Sequence, residues 1–407
     1  MEHVTGGVCA PEGFQAAGCA AEIKYKNRRD MAMLYSERPC TAAGVFTKNV
    51  VKAAPVLWDR DIIKKGDPVH AVVVNAGVAN ACTGEQGKRD CAETASEAAK
   101  LLSLRPEQVL VASTGVIGMH LPMERIRSGI QTLKPLLAAS EQAADAAAKA
   151  IITTDTHQKE QAVAFTVDGK TCHIGAMAKG SGMIHPNMGT MLCFLTTDVS
   201  ISHDMLQKAL LVVTQDTFNM ISVDGDTSTN DTALLLANGA AGNTEITEEN
   251  ESYHAFLEAL LEVCSGMSKM LAGDGEGATA LFEVSVAGVP DKESARTLAR
   301  SVICSSLTKA AIFGHDANWG RILCALGYAG VAFDPDRVTL VIKSDAGSIL
   351  LFENGAPVSY SEEEATQVLS QPVVRAEVDL HAGDCEATAW GCDLSYDYVK
   401  INADYRS

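Results

Sequence analysis

The sequence predicts a mixed α/β fold with a large sheet component, and three observations carry that expectation. Short apolar runs such as AVVVNAG (71–77), VLVAST (109–114), CHIGAMA (172–178) and TMLCFLTTDV (190–199) have the length and side-chain types of strands. Segments with apolar residues at helical spacing alternate with them. From about residue 280 onward the chain turns strand-rich, through ALFEVSVAGV, RVTLVIKSD, VVRAEVDLHAG and TAWGCDLSYDYVKIN. No internal repeat or low-complexity linker interrupts the 407 residues, so a compact body without a flexible hinge is expected.

Each element has its own signal. In TMLCFLTTDV, Met191, Cys193 and Leu195 alternate with Leu192, Phe194 and Thr196, which predicts a strand covered on both faces. Phe256, Leu260, Val263, Met267 and Met270 predict a helix over 252–271. Ser140, ahead of EQAADAAAKAII, is placed to cap a second helix. A third is expected over about 292–308. The closing run 401–407 is expected directly after a strand and docked there, with fraying as the alternative.

Composition narrows the function. With 33 basic against 51 acidic residues the net charge is -18, spread along the chain, which argues against nucleic acid and against an anionic membrane surface. No apolar run reaches the ~18 residues of a membrane span. The first residues, MEHVTGGVCAPEGF, look like neither a signal nor a transit peptide, and the cytoplasm is the expected compartment. The 12 cysteines stand singly, without a C-x-x-C pair, and many sit among apolar neighbours. Buried free thiols in a reducing compartment fit this, and no metal site is expected.

Polar residues mark a few places for chemistry. The run Lys179 to Asp198, KGSGMIHPNMGTMLCFLTTD, carries a lysine in a glycine-rich loop that leads to Gly189 and Thr190. A threonine at a strand start, behind a residue without bulk, suits self-cleavage. Its hydroxyl attacks the preceding carbonyl, and the break leaves an α-amine beside the nucleophilic oxygen; an ordinary strand threonine is the alternative. Thr114-Gly115, read as a turn at a strand end, can aim a hydroxyl and an amide at one point, as an oxyanion site requires. A plain turn is the alternative there. The loop Ser222–Asp231 is dense in oxygen donors. Counted from Asp224, however, it has Thr229 in place of the sixth-position glycine and Leu235 in place of the twelfth-position glutamate, so the EF-hand pattern fails. Glu276, between glycines in GDGEG, follows a helix and lacks the dinucleotide-binding pattern.

Together these segments resemble one family, the ornithine acetyltransferases, bifunctional glutamate N-acetyltransferases of arginine biosynthesis. The resemblance runs through GVCAPEGFQAAG, TAAGVFT (41–47), ANACTGEQG (79–87), STGVIG, TTDT (153–156), AMAKGSGM, NMGTML, VDGDTSTND, GDGEGAT, NWGRI and INADY, in the family's order. It implies layered sheets flanked by helices, similar to the self-processing aminopeptidase and ornithine acetyltransferase fold. It also implies cleavage between Gly189 and Thr190 into an α chain, 1–189, and a β chain, 190–407, that stay together as one compact unit, two of each in the assembly. By the same resemblance Thr190 is the nucleophile. Its α-amine, with an unperturbed pKa of roughly 7.7–8.0, serves as base. Thr114 and Gly115 hold the oxyanion, and Thr153, Lys179, Thr190, Glu276, Asn402 and Ser407 contact substrate. The implied reaction moves acetyl from N2-acetyl-L-ornithine to L-glutamate by a ping-pong route, without a cofactor. Whether acetyl-CoA also serves as donor stays open.

The chain departs from the family pattern at several points. Gly189 stands where alanine is usual, Val78 where asparagine is usual, His315 where arginine is usual, and Ser407 where threonine is commoner. His185 replaces a small residue, and a loop histidine without a catalytic part is the expected reading. Two rivals remain: an N-terminal-nucleophile aminopeptidase or amidase with water as acceptor, and a non-catalytic binding protein organised by a metal in the Asp224–Asp231 loop.

Overall fold

Residues 1–185 and 191–404 are described by the structure, a computed structural model. Gly189, Thr190 and Ser407 therefore lie outside the described residues. The chain forms two compact units. The first comprises residues 1–180, 186–215 and 226–267, and the second 181–185, 216–225 and 268–407. These boundaries fall elsewhere than the Gly189–Thr190 junction.

The first unit is built on a nine-stranded mixed sheet. Its strands are β1 (Glu2–His3), β2 (Phe14–Cys19), β3 (Met31–Phe46), β4 (Val69–Val78), β5 (Val109–Val116), β6 (Lys159–Val167), β7 (Lys170–Lys179) and β8 (Leu192–Thr197). After β9 (Ile221–Ser222), which belongs to the second unit, β10 (Thr232–Ala237) completes them. The order is β1-β6-β7-β8-β10-β3-β4-β5, with β2 beside β3. β3 changes partners along its length, pairing with β2 over Met31–Ser36, with β4 over Met31–Tyr35 and again at Cys40, and with β10 over Thr41–Phe46. Pro39 falls within the irregularity between Tyr35 and Cys40 of the β3–β4 ladder, a place where a residue without an N–H is tolerated. β8 is buried along its whole length, as its two-sided apolar pattern predicts.

Helices α1 (Ala54–Lys65), α2 (Gly84–Leu102), α3 (Met123–Leu133) and α4 (Glu141–Ile151) belong to this unit. Ser140 caps α4 as expected, its hydroxyl accepting from the Ala143 amide at 3.2 Å. The buried alanines of α4 leave little bulk, and it packs against β2, β3 and β7. α1 covers the sheet's open edge. Its Asp59 accepts from the Val111 amide at 2.8 Å, and the Trp58 indole donates to the Val109 carbonyl at 3.1 Å. Two side chains thus satisfy edge groups of β5 that no further strand reaches. Beyond α5 (His203–Asp216), α6 (Glu251–Gly273) matches the helix expected over 252–271.

The second unit carries a seven-stranded sheet, in the order β14-β13-β12-β15-β11-β16-β9. The strands are β11 (Leu281–Val289), β12 (Thr339–Ser344), β13 (Gly347–Glu353), β14 (Ala356–Pro357), β15 (Val373–Asp379) and β16 (Cys385–Cys392). Its helices are α7 (Lys292–Cys304), α8 (Ser306–Phe313), α9 (Trp319–Gly327), α10 (Glu362–Leu369) and α11 (Tyr396–Ala403). Two expectations are corrected here. The helix expected over 292–308 is two helices, because Ser305 leaves helical geometry and caps α8 through the Thr308 amide. The C-terminal run does not follow a strand directly. β16 stops at Cys392, and the Asp393 carboxylate then accepts from the amides of Thr279 and Ala280 and from the Thr279 hydroxyl. The chain next turns into α11, whose Tyr396 and Val399 are exposed.

Of the 12 cysteines, all unpaired, seven are buried, but Cys82 and Cys324 are exposed, so burial does not hold throughout. Among the described residues no helix is long and apolar enough to cross a membrane.

Asp59 gives a pH signature. Burial pushes its carboxyl well above the ordinary carboxylate range, and the Val111 amide offsets only part of that. The folded state keeps the proton that the unfolded chain releases near pH 3.9, so this group's stabilisation is full below that value and declines as pH rises, by about 1.4 kcal/mol per unit. Asp59→Asn keeps an acceptor for Val111 without a titrating group. Thermal melts of both proteins between about pH 5 and 8 should show the variant's Tm gaining on wild type as pH rises. A difference that stays constant with pH would refute this assignment.

Candidate active site

In the first unit the end of β7 supplies Lys179, buried in all but 7% of its surface. Its ammonium donates to the Thr153 hydroxyl at 2.7 Å and lies 3.7 Å from the Asp155 carboxylate. Asp155 is the hub of this cluster. It accepts from the fully buried Lys159 ammonium at 2.8 Å, from the Thr153 amide at 3.0 Å and from the Gly180 amide at 2.6 Å. Burial alone would raise its pKa. Lys179 and Lys159, with the hydrogen bonds from Lys159 and the Thr153 amide, outweigh that and hold it below the usual carboxylate range. One carboxylate between two ammonium groups leaves the cluster one positive charge in excess.

Thr114 and Gly115 lie differently from the turn expected of them. β5 runs on through Val116, and Thr114 and Gly115 pair with Ala76 and Gly77 of β4; the turn comes at Ile117-Gly118. Gly115 has φ +126, and a Cβ there would stand 2.3 Å from the Gly77 carbonyl carbon. Only glycine lets these two strand ends touch. Both residues are half-buried.

A buried amide network supports this strand end. The Asn230 side chain donates to the carbonyls of Ala79, at 2.6 Å, and Ser113, at 2.7 Å. The Ser113 hydroxyl donates to Asn75, whose amide group donates to the Val78 carbonyl. Two residues past Asn230, the Thr232 amide donates to the carbonyl of Met191 at 2.9 Å. Hydrogen bonds and strand pairing therefore tie Ser113, Met191 (the residue after Thr190) and, through the pairing of Leu192 with Lys179, the Thr153–Lys179 pair into one region of the first unit.

In the second unit Glu276 sits in the turn between α6 and β11, 7% exposed. Its amide donates to the Ser181 carbonyl at 3.0 Å, and Asn402 on α11 donates to its carboxylate at 2.8 Å. Gly182 makes room for that carboxylate, since a Cβ there would lie 2.3 Å from Glu276 Cδ. Glu276 and Asn402, each expected to contact substrate, thus contact each other. His185 is held between elements of this unit, with Nε2 3.2 Å from the Arg300 guanidinium and Nδ1 3.1 Å from the Ser222 hydroxyl.

The polar loop after β9 is organised by hydrogen bonds. Asp224 accepts from the amides of Met183 and Ile184 at 2.6 and 2.9 Å. Among the described residues no group of three or more His, Cys, Asp or Glu side chains is arranged to hold a metal ion. A cavity of about 400 Å³ in the first unit, lined by Val4, Gly7, Glu141, Asp145 and Glu160 among others, contains none of the candidate catalytic or substrate-binding residues.

Sequence reasoning missed Asp155 and Asn230 as individuals, although both lie inside recognised motifs. The available signal for Asp155 was its place two residues after Thr153 and four before Lys159. Asn230 offered none, because its partners lie more than a hundred positions away.

Asp155→Asn would leave two ammonium groups without their buried counter-charge and should cost about 3–5 kcal/mol of stability. Adding Lys159→Met should restore much of it. The sign with pH is opposite to that of Asp59. A depressed folded pKa stabilises above the unfolded value near 3.9, and that stabilisation is lost as pH falls below it. Urea unfolding of the three proteins reads these differences; a loss below about 1 kcal/mol for the single variant would contradict the charged cluster.

Comparison with known proteins gives a consistent answer. The ArgJ family model matches residues 15–407. The arginine biosynthesis bifunctional protein ArgJ of Symbiobacterium thermophilum is 54% identical over 409 residues, covering 100% of both chains. That of Thermotoga neapolitana is 49% identical, covering 98% of this chain and 99% of its own. Among solved structures, the arginine biosynthesis bifunctional protein ArgJ of Bacillus halodurans is 46% identical with a TM-score of 0.50, over 53% of this chain and 99% of that one. A family match over nearly the whole length, with relatives this similar from end to end, makes this chain a member of the ArgJ family.

Proposed function

We propose that this chain moves an acetyl group from N2-acetyl-L-ornithine to L-glutamate through an acetyl ester on Thr190, giving L-ornithine and N-acetyl-L-glutamate. As a family member the chain is an acetyl-transfer enzyme of arginine biosynthesis. Cleavage between Gly189 and Thr190 would free an α-amine whose unperturbed pKa, roughly 7.7–8.0, suits it to take the proton from Oγ. The hydroxyl then attacks the acetyl carbonyl. Thr114 and the Gly115 amide stabilise the oxyanion, and ornithine leaves as its nitrogen takes the proton held on the α-amine. The amine of glutamate attacks the ester, and the acetyl group passes to it as Thr190 regains its proton.

One observation carries this reading most directly: the Asn230–Thr232 segment binds both Ser113 and Met191, the neighbours in sequence of Thr114 and Thr190. The excess positive charge around Lys179 supports a role in receiving a substrate carboxylate, with Thr153 beside it. Contacts from Glu276, Asn402 and Ser407 to substrate rest on the family resemblance. The cleavage step has support of a different kind. The solved Bacillus halodurans chain is matched over 99% of its length by 53% of this one, about the share that residues 190–407 make up. No cofactor is needed for the scheme, and acetyl-CoA is a second donor to be tested. An assembly of two α and two β chains belongs to the same proposal, as does the cytoplasm, which the unpaired cysteines support.

Intact-mass spectra under denaturing conditions test the first step. Wild type should give two species divided between Gly189 and Thr190, and Thr190→Ala one uncut chain. Folded, uncut wild type would remove the base and with it the mechanism. For the cleaved enzyme, ornithine release from N-acetylornithine should depend on glutamate; release at the same rate without it would favour an amidase.

A further inference from the structure

We propose that Asn230 is a positioning residue for acetyl transfer, setting the Thr114–Gly115 strand end against the start of β8. This rests on the oxyanion role given above to Thr114 and Gly115. Asn230 is 93% buried, with 7% of its surface exposed, and lies in no strand or helix. Both hydrogens of its amide group are used, one on the Ala79 carbonyl and one on that of Ser113. The two carbonyls can only accept, which fixes the NH2 end toward them, and the amide oxygen is held in turn by the Thr229 hydroxyl at 2.6 Å.

The Ser113 carbonyl shares a rigid peptide plane with the Thr114 nitrogen, so a bond that aims the first aims the second. Ala79 follows the β4 end that carries Gly77, against which Gly115 is packed without room for a side chain. A single amide group therefore grips both strand ends that frame Gly115. The backbone beside it grips β8: the Asn230 carbonyl accepts from the Thr232 hydroxyl at 2.9 Å, and the Thr232 amide donates to the Met191 carbonyl. Catalytic groups held to within about 0.5 Å need such fixed supports, and a displaced oxyanion donor acts on the transition state more than on the bound substrate.

The test compares steady-state transfer from N-acetylornithine to glutamate by Thr229→Val, Asn230→Ala, Thr114→Ala and the Thr114→Ala/Asn230→Ala double variant. Rates are counted per cleaved chain by intact mass. Asn230→Ala should lower kcat by about 10–100-fold while KM for N-acetylornithine moves less than about threefold. Thr229→Val, the milder change, should lower kcat a few-fold with cleavage intact, and it decides the matter if Asn230→Ala fails to fold or to cut. In the Thr114→Ala background the loss of Asn230 should have little further effect, since its action runs through that strand end. Unchanged kcat per cleaved chain, with only the melting temperature lowered, would overturn the proposal. So would full multiplication of the two losses. If Thr114→Ala itself leaves kcat unchanged, the oxyanion reading falls first; if Thr114→Ala is slow but the Asn230 and Thr229 variants are not, only the positioning role falls.

Discussion

The register of β8 is the constraint on which most of the first unit depends. A strand buried on both faces receives little register information from hydrophobicity, because a one-place slip exchanges one apolar face for another. Here polar pegs at its far end supply what the apolar pattern lacks. The Thr196 hydroxyl donates to the Val8 carbonyl and the Thr197 hydroxyl to that of His173. Asp198 accepts from the amides of Glu12 and His173 and lies 2.9 Å from the His173 ring. Each bond would be lost in a shifted register, leaving buried polar groups unpaired at about 1–3 kcal/mol apiece. With the far end pinned, the near end has no choice. Leu192 stands opposite Lys179 on one side and Thr232 on the other.

Charge at that near end is arranged with equal economy. Lys159 and Lys179 would repel each other in a poorly hydrated setting, and Asp155 makes both tolerable. The division of labour is unequal. Lys159, without exposed surface, is committed to Asp155, whereas Lys179 stands farther from the carboxylate and closer to Thr153. The result is one ammonium whose field is only partly cancelled. It is on this partly cancelled charge beside the Thr153 hydroxyl that the proposed recognition of a substrate carboxylate rests.

Local signals in the sequence were reliable where the structure is local. The Ser140 cap, the helix of Phe256 to Met270 and the two-sided burial of β8 are readable because spacing and capping act within a few residues. Thr114-Gly115 looked like a turn because glycine is a turn residue. Its true reason for being glycine is Gly77, a contact from another strand. Ser305 broke an apparently continuous helix by satisfying its own backbone, and no glycine or proline announced it. Asp155 and Asn230 illustrate the deeper limit. Their residue types are ordinary for loops; Asp155 gains its place partly through nearby Thr153 and Lys159, whereas for Asn230 it is long-range hydrogen bonds that set it apart from solvated neighbours. The motif resemblance reached the segments that contain them, but not the reason those segments hold an aspartate and an asparagine.

Cleavage before Thr190 would also leave a question of cohesion that the sheet answers. Divided there, residues 1–189 would own β6 and β7 on one side and β3, β4 and β5 on the other, while β8 and β10 would come from residues 190–407. The two strands of the second chain are thus interleaved within the sheet of the first. To separate, the chains would have to open the β7–β8 ladder from Ile174 to Lys179 and the β10–β3 ladder from Thr41 to Phe46. They would also have to expose Phe194, Leu234 and Leu236 from the shared core. Burial of each such side chain stabilises by about 1.5–3 kcal/mol, before any backbone bond is counted. A broken peptide at the start of a central strand therefore releases a reactive terminus without releasing the chain that carries it, which is the condition a self-generated nucleophile must meet.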